Sequence, residues 1–178
     1  MRLDESLGGS VYVDTNILYM YLRADLEHLP TIRRFLSYVV QGDIEAFVGI
    51  PVLDELFYRL LLARIKDVSG RNPLDVLRQD LVRAIDSHAS VIENSMHQLM
   101  TLPHLSFVGV ETADGERMLD NIGVYKLLPR DALHVAIMQR LNISRIASDD
   151  TDFDRVGGIE RIWMINPPRE NEEPEADV

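Results

Sequence analysis

The feature that most restricts this chain is the run Val11-Tyr12-Val13-Asp14-Thr15-Asn16-Ile17-Leu18. β-branched and aromatic residues end in an aspartate, and a hydroxyl, an amide and an apolar segment of helical spacing follow. A buried strand that hands a carboxylate to its C-terminal end has this pattern, and open α/β sheets place their chemistry at that edge. Short apolar runs at 46–50, 106–110, 145–147 and 161–165 read as further strands, with helical periodicity between them. Strands alternating with helices predict an α/β fold, a mostly parallel central sheet flanked by helices.

Punctuation residues place the helices. One begins near Thr15, a second follows Pro30 and ends at Gly42, and a strongly apolar third opens at Pro51. Asn72-Pro73 reads as an N-cap and first-turn proline, opening an extra long helix over about 73–100. Its apolar residues Leu74, Leu77, Leu81, Ile85, Ile92, Met96 and Leu99 form one stripe, read first as core packing and second as a homodimer or partner-protein face. A helix over about 112–122 is expected to stop at Gly123, and one from Pro129 to end at Asn142. The expected organisation is one domain over 1–166 and an acidic, disordered tail over 167–178.

The chain carries 29 acidic and 18 basic residues, a net charge of −11, which argues against non-specific nucleic-acid binding through a broad basic surface. A nucleic-acid substrate would need a local basic track, bound cations or a second subunit. Arg23, Arg33 and Arg34 are candidates for such a track, and solvated helix faces explain them equally well. There is no cysteine, so disulfides, thiol nucleophiles and thiolate zinc sites are excluded. With no apolar leader and no run near the ~18 apolar residues of a membrane span, the expectation is a soluble, cytoplasmic protein with no membrane partner.

Four acidic positions fall at the predicted C-terminal edge of the sheet: Asp14, Glu55, Asp131 and the cluster Asp149, Asp150 and Asp152. Each has an ordinary reading. Asp14 could be a turn or cap, Asp131 a first-turn carboxylate complementing a helix dipole, and the aspartate cluster an acidic turn before Phe153. Glu55 is less ordinary, because it lies beside the apolar stripe of its helix. Together these readings weaken. Uncompensated carboxylates in one crevice repel and raise one another's pKa values. With few basic residues beside them, a hard divalent ion, magnesium or manganese, is the simplest compensating cation. Such an ion polarises phosphoryl oxygens and makes water more acidic.

These motifs resemble those of PIN-domain nucleases, most closely the VapC-type toxins of toxin–antitoxin pairs. The likeness rests on Val-Tyr-Val-Asp14-Thr-Asn-Ile-Leu, on Glu55 in Pro-Val-Leu-Asp-Glu-Leu, on Asp131 in Pro-Arg-Asp-Ala-Leu-His-Val-Ala, and on Ser-Asp149-Asp-Thr-Asp-Phe. It covers about residues 10–66 and 105–165. The resemblance implies a PIN-like fold in which Asp14, Glu55, Asp131 and one aspartate of the last cluster bind Mg2+ or Mn2+ and hydrolyse RNA. Two registers fit the last cluster; Asp149 is preferred over Asp150 as the metal-side residue, with Asp152 in support. Thr15 and Ser148 are expected to orient neighbouring carboxylates, and Asn16 to do likewise or to cap the turn. His134, one turn after Asp131, is more simply a hydrogen-bonded structural histidine than a ligand. The long 73–100 helix and the acidic tail are foreign to the family pattern.

Two other functions compete. A haloacid-dehalogenase-type phosphatase would need a proton-accepting aspartate two residues after Asp14, where this chain has Asn16. A non-catalytic PIN-like scaffold binding RNA or protein fits the acidic charge but leaves the intact carboxylates without a purpose. The toxin reading adds an antitoxin that occupies the site, inserting an arginine among the carboxylates.

Overall fold

In the computed structural model, residues 2, 3, 5 and 8–164 are described. The predicted tail over 167–178 and the end of the last predicted strand at Ile165 lie outside them. The chain runs β1 (Ser10–Val13), α1 (Thr15–Arg23), α2 (Leu29–Gln41), β2 (Glu45–Gly49), α3 (Ile50–Ser69), α4 (Pro73–Gln79) and α5 (Leu81–Met100). It continues through β3 (Leu105–Val108), α6 (Thr112–Tyr125), α7 (Pro129–Leu141), β4 (Arg145–Ala147), a short 3-10 turn (Thr151–Arg155) and β5 (Glu160–Ile162). The strands form one sheet in the order β3-β2-β1-β4-β5, and every pairing is parallel.

The α/β expectation therefore holds, and all five strands lie where their apolar runs predict, within a few residues at their ends. β1 is central, and Val11, Tyr12 and Val13 are all fully buried, as a strand covered on both faces requires. Tyr12, Phe35, Leu56, Ile137, Met138 and Phe153 are among the large side chains that fill the core around it.

This strand order creates the crevice. From β1 the chain moves outward to β2 on one side, and from β4 it moves outward to β5 on the other. The two strands are neighbours, with Tyr12 beside Ile146 and Val13 beside Ala147. Their C-terminal ends therefore flank the point where successive connections diverge, the position at which parallel α/β sheets leave room for a ligand.

Two helix boundaries differ from expectation. The single helix predicted over 73–100 is two helices, α4 and α5, broken at Asp80. The Asp80 backbone leaves helical geometry and its Oδ1 accepts a hydrogen bond from the Arg83 amide at 3.0 Å, so a side-chain cap starts a new helix. The predicted stripe divides with it: Ile92 and Leu99 enter the core, whereas Leu74 and Leu81 are exposed. The second difference is in α6, which passes through Gly123 to Tyr125 and ends on Lys126 in the left-handed region, at φ 58°. A mid-helix glycine costs only about 1 kcal/mol, and Ile122 and Tyr125 on either side of it pack against the core.

Candidate active site

Asp14 follows β1 and caps α1. Its Oδ1 accepts from the Thr15 amide at 2.7 Å, which explains why the helix starts there. Its Oδ2 accepts from the Ser148 hydroxyl at 2.7 Å, and its own amide donates to the Ala147 carbonyl at 3.1 Å. The carboxylate is 7% exposed, so it stands on the inner wall of the crevice. Burial, with the charges of Glu55 and Asp149 adding to it, pushes its pKa up to about 7, against the opposing hydrogen bonds from Ser148 and Thr15.

Glu55 enters from the second turn of α3. Its Oε2 accepts from the Thr15 hydroxyl at 3.0 Å, tying α3 to the start of α1. Asp131 enters from the first turn of α7, behind the helix-opening Pro129. Burial raises its pKa to about 6, helped by the charges of Asp150, Asp152 and Glu55 and opposed by Arg130. Asp14 and Asp131 both feel the charge of Glu55.

The aspartates after β4 divide. Asp150 and Asp152 face Asp131: one carboxylate oxygen from each of the three lies within 4.8 Å of the others, a set able to hold a cation. The turn is fastened by Ser148, whose hydroxyl accepts from the Asp150 amide at 3.0 Å, and by Asp150, which accepts from the Asp152 amide at 2.8 Å. Asp149 accepts from the side-chain amide of Asn16. Asp150 thus lies beside Asp131, while the charge of Asp149 acts on Asp14.

Few basic residues lie beside these acids in the sequence, but in the fold three guanidinium groups reach the crevice. Arg59, one turn after Glu55, lies 3.9 Å from Glu55, stacks 4.3 Å over the Tyr19 ring and donates to Asn16 Oδ1. Arg130 stands 3.2 Å from Glu55 and 3.8 Å from Asp54, and Arg155 stands 3.0 Å from Asp152. A signal for the first two was present, since Arg59 sits four residues from Glu55 and Arg130 precedes Asp131. Neither spacing tells a helix-surface ion pair from a site cation. Of the arginines proposed as a track, Arg23 instead pairs with Asp67, and Arg33 and Arg34 lie on the exposed face of α2.

His134 is 1% exposed, with Nδ1 2.9 Å from the Tyr12 hydroxyl. Burial lowers its pKa to about 4, so it is neutral and structural. A cleft of about 710 Å3 opens beside the carboxylates, lined by Glu55, Arg130, Asp131 and Asp150 together with Met118, Leu128 and Leu133. The carboxylate oxygens of Asp131, Asp150 and Asp152 suit a hard divalent ion, and a cation in the crevice would relieve the raised pKa values of Asp131 and Asp14.

An all-parallel α/β protein with an acidic crevice at its strand-order switch is the class that fold and site define. Residues 11–159 match the PIN domain, and the chain belongs to the PIN-domain family. Among its relatives are a VapC ribonuclease of Mycobacterium bovis and ribonuclease VapC13 of Mycobacterium tuberculosis. Each is 27% identical over 153 residues, spanning 85% of this chain and 98% of the relative. The fold is similar to that of a toxin–antitoxin complex from Klebsiella pneumoniae, with a TM-score of 0.54 and 15% identity over 87% of this chain and 99% of that one. It is also similar to Mycobacterium tuberculosis VapC20, a sarcin–ricin-loop-cleaving toxin, with a TM-score of 0.53 and 18% identity over 88% of this chain and 99% of that one. No helix among the described residues is long and apolar enough to cross a membrane.

Proposed function

We propose that this protein is a divalent-metal-dependent endoribonuclease, the toxin of a toxin–antitoxin pair. The observation that carries the reading is the convergence of Asp14, Glu55, Asp131, Asp150 and Asp152 on one crevice, from four separate segments of the chain. Ordinary turns and caps have no reason to converge. The ribonuclease names of the relatives and the toxin–antitoxin setting of the structural neighbours support the same activity.

In this reading Asp131, Asp150 and Asp152 hold magnesium or manganese, with Asp14 and Glu55 completing the inner side of the site. Asp149 acts at one remove through Asn16. A bound ion of this kind polarises a phosphoryl oxygen and makes water acidic enough to attack it. The chain's own groups supply placement. Ser148 and Thr15 fix Asp14 and Glu55 by hydrogen bonds, so neither carboxylate has to reorganise when substrate arrives. Asn16, held by Arg59, presents its amide to Asp149 and cannot serve as the proton carrier that a phosphoaspartate mechanism needs at that position.

An antitoxin would cover the crevice, with a cationic side chain competing for the same carboxylates. Two copies of the chain are expected to associate, a reading supported by the exposed apolar side chains of Leu119 and Val124 on α6; light scattering on the purified protein tests it. The test of activity is cleavage of single-stranded RNA in manganese by the wild-type protein and by Asp14→Asn. Equal cutting by both would remove the assignment. Calorimetric manganese binding without any cutting would favour a metal-binding scaffold.

A further inference from the structure

The guanidinium of Arg130 has an unusual position for a surface residue. It is about half exposed, lines the cleft, and faces two consecutive residues of α3, with Nη1 3.2 Å from Glu55 Oε2 and Nη2 3.8 Å from Asp54 Oδ2. It also directly precedes Asp131, whose pKa it lowers against the upward push of burial and of the other carboxylates. Arg130 is therefore a cation of the chain's own, set at the mouth of an anionic crevice.

Glu55 Oε2 already accepts from Thr15, so Arg130 is its second partner, and an ion pair reaching out from a half-exposed guanidinium is held only weakly. A divalent cation held at Asp131, Asp150 and Asp152 and drawing on Glu55 would weaken the attraction that holds Arg130 in place. Freed of that pull, a planar guanidinium with parallel donors fits the non-bridging oxygens of a phosphodiester better than any other side chain. The cleft that Arg130 lines has a volume of about 710 Å3 and is lined also by Met118, Leu128 and Leu133.

We infer that Arg130 is a phosphate-binding residue for the RNA strand, held on Glu55 in the ion-free protein and handed over to the substrate backbone when a divalent ion engages Glu55. The inference rests on the nuclease reading for its ligand, but its test stands apart from cleavage. Arg130 and the ion compete for one carboxylate, whereas Arg130 and the RNA cooperate. Removing its charge must therefore have opposite effects on the two ligands. A residue that merely braces α7 against α3 would weaken both or neither.

The experiment uses the full chain with Arg130→Met and Arg130→Lys, each also made in an Asp14→Asn background to prevent turnover. Manganese alone is titrated by calorimetry, and a fluorescent single-stranded RNA is titrated by anisotropy across a range of salt. The expected result for Arg130→Met is tighter manganese binding, by a few-fold, and RNA binding weakened about tenfold. The slope of log affinity against log salt should fall by about 0.7, the loss of one phosphate contact on a single strand. Arg130→Lys should keep most of that slope. An unchanged salt slope in Arg130→Met, or weaker manganese binding in it, overturns the inference. A wild-type protein that never cuts RNA, yet shows the Arg130-dependent slope, leaves this inference standing and removes the nuclease reading instead.

Discussion

Ser148 Oγ donates to Asp14 Oδ2 at 2.7 Å, joining two residues 134 positions apart at the ends of adjacent parallel strands. Both side chains are buried, and the same hydroxyl accepts the amide of Asp150. One small side chain thus ties the inner carboxylate to the turn that carries the outer ones.

Ser148→Ala should therefore have two separable effects. Losing a buried hydrogen bond to a charged group should cost about 1.5–3 kcal/mol in denaturant unfolding. The Ser148 hydrogen bond also holds the Asp14 pKa down against burial, so without it that pKa rises further. The rising limb of the pH–rate profile in manganese should move to higher pH. An unchanged limb would mean that Asp14 does not govern ionisation of the site.

Asp14→Asn should abolish RNA cleavage and stabilise the ion-free fold. The Asp14 pKa is raised from 3.8 to about 7, so the folded state binds its proton more tightly than the unfolded state does. Stability then falls as pH rises from about 4 to about 7, and the folded protein above that range carries an unrelieved buried charge. Removing the charge should gain on the order of 4 kcal/mol at pH 8 and nothing below pH 4. Thermal melts of both proteins at the two pH values check this. Added manganese should narrow the gap by stabilising the wild type more than the variant, which keeps Asp131, Asp150 and Asp152.

How much of this was open to a sequence reading depends on distance along the chain. The parallel sheet follows from local alternation, and Asp14, Glu55 and Asp131 stand out because each sits at a strand end or helix start. What local pattern does not carry is the direction of side chains in a turn. Asp149 and Asp150 are adjacent acids after one strand, and only the folded turn shows that Asp149 accepts from Asn16 while the Asp150 amide donates to Ser148. The Arg59 and Arg130 contacts were hidden for a related reason, since a helical arginine near an acid has the same spacing in a site as on a surface. The break at Asp80 was obscured because the apolar period continues across it, although aspartate is a good N-cap.

His134 gives a pH dependence of the opposite sign to that of Asp14. Burial lowers its pKa from 6.5 to about 4, so the unfolded state binds its proton more readily than the folded state. Its contribution to stability is complete above about pH 6.5 and is lost as pH falls towards 4. His134→Gln, which keeps a polar partner for Tyr12, should remove this acid sensitivity. Urea titrations at pH 4.5 and 7.5 should show a smaller difference in the variant than in the wild type. An equal difference would place the acid-sensitive group elsewhere.

Gly49 shows how closely the floor of the crevice is packed. It ends β2 and caps α3, the helix that carries Glu55, and its backbone conformation at φ −69° is open to any residue. Space is what demands glycine here. A methyl group would lie 2.2 Å from the Tyr12 hydroxyl, which is itself held by His134, and 3.2 Å from Ile137. Tyr12 is fully buried, so its ring cannot swing aside without opening the core. Gly49→Ala should therefore cost about 1–3 kcal/mol or more in denaturant unfolding. It should also shift α3, weakening manganese binding even though no carboxylate is altered. Combining it with Tyr12→Phe, which removes the clashing oxygen, should recover much of both losses; no recovery would mean that the strain lies in the β2–α3 junction rather than against Tyr12.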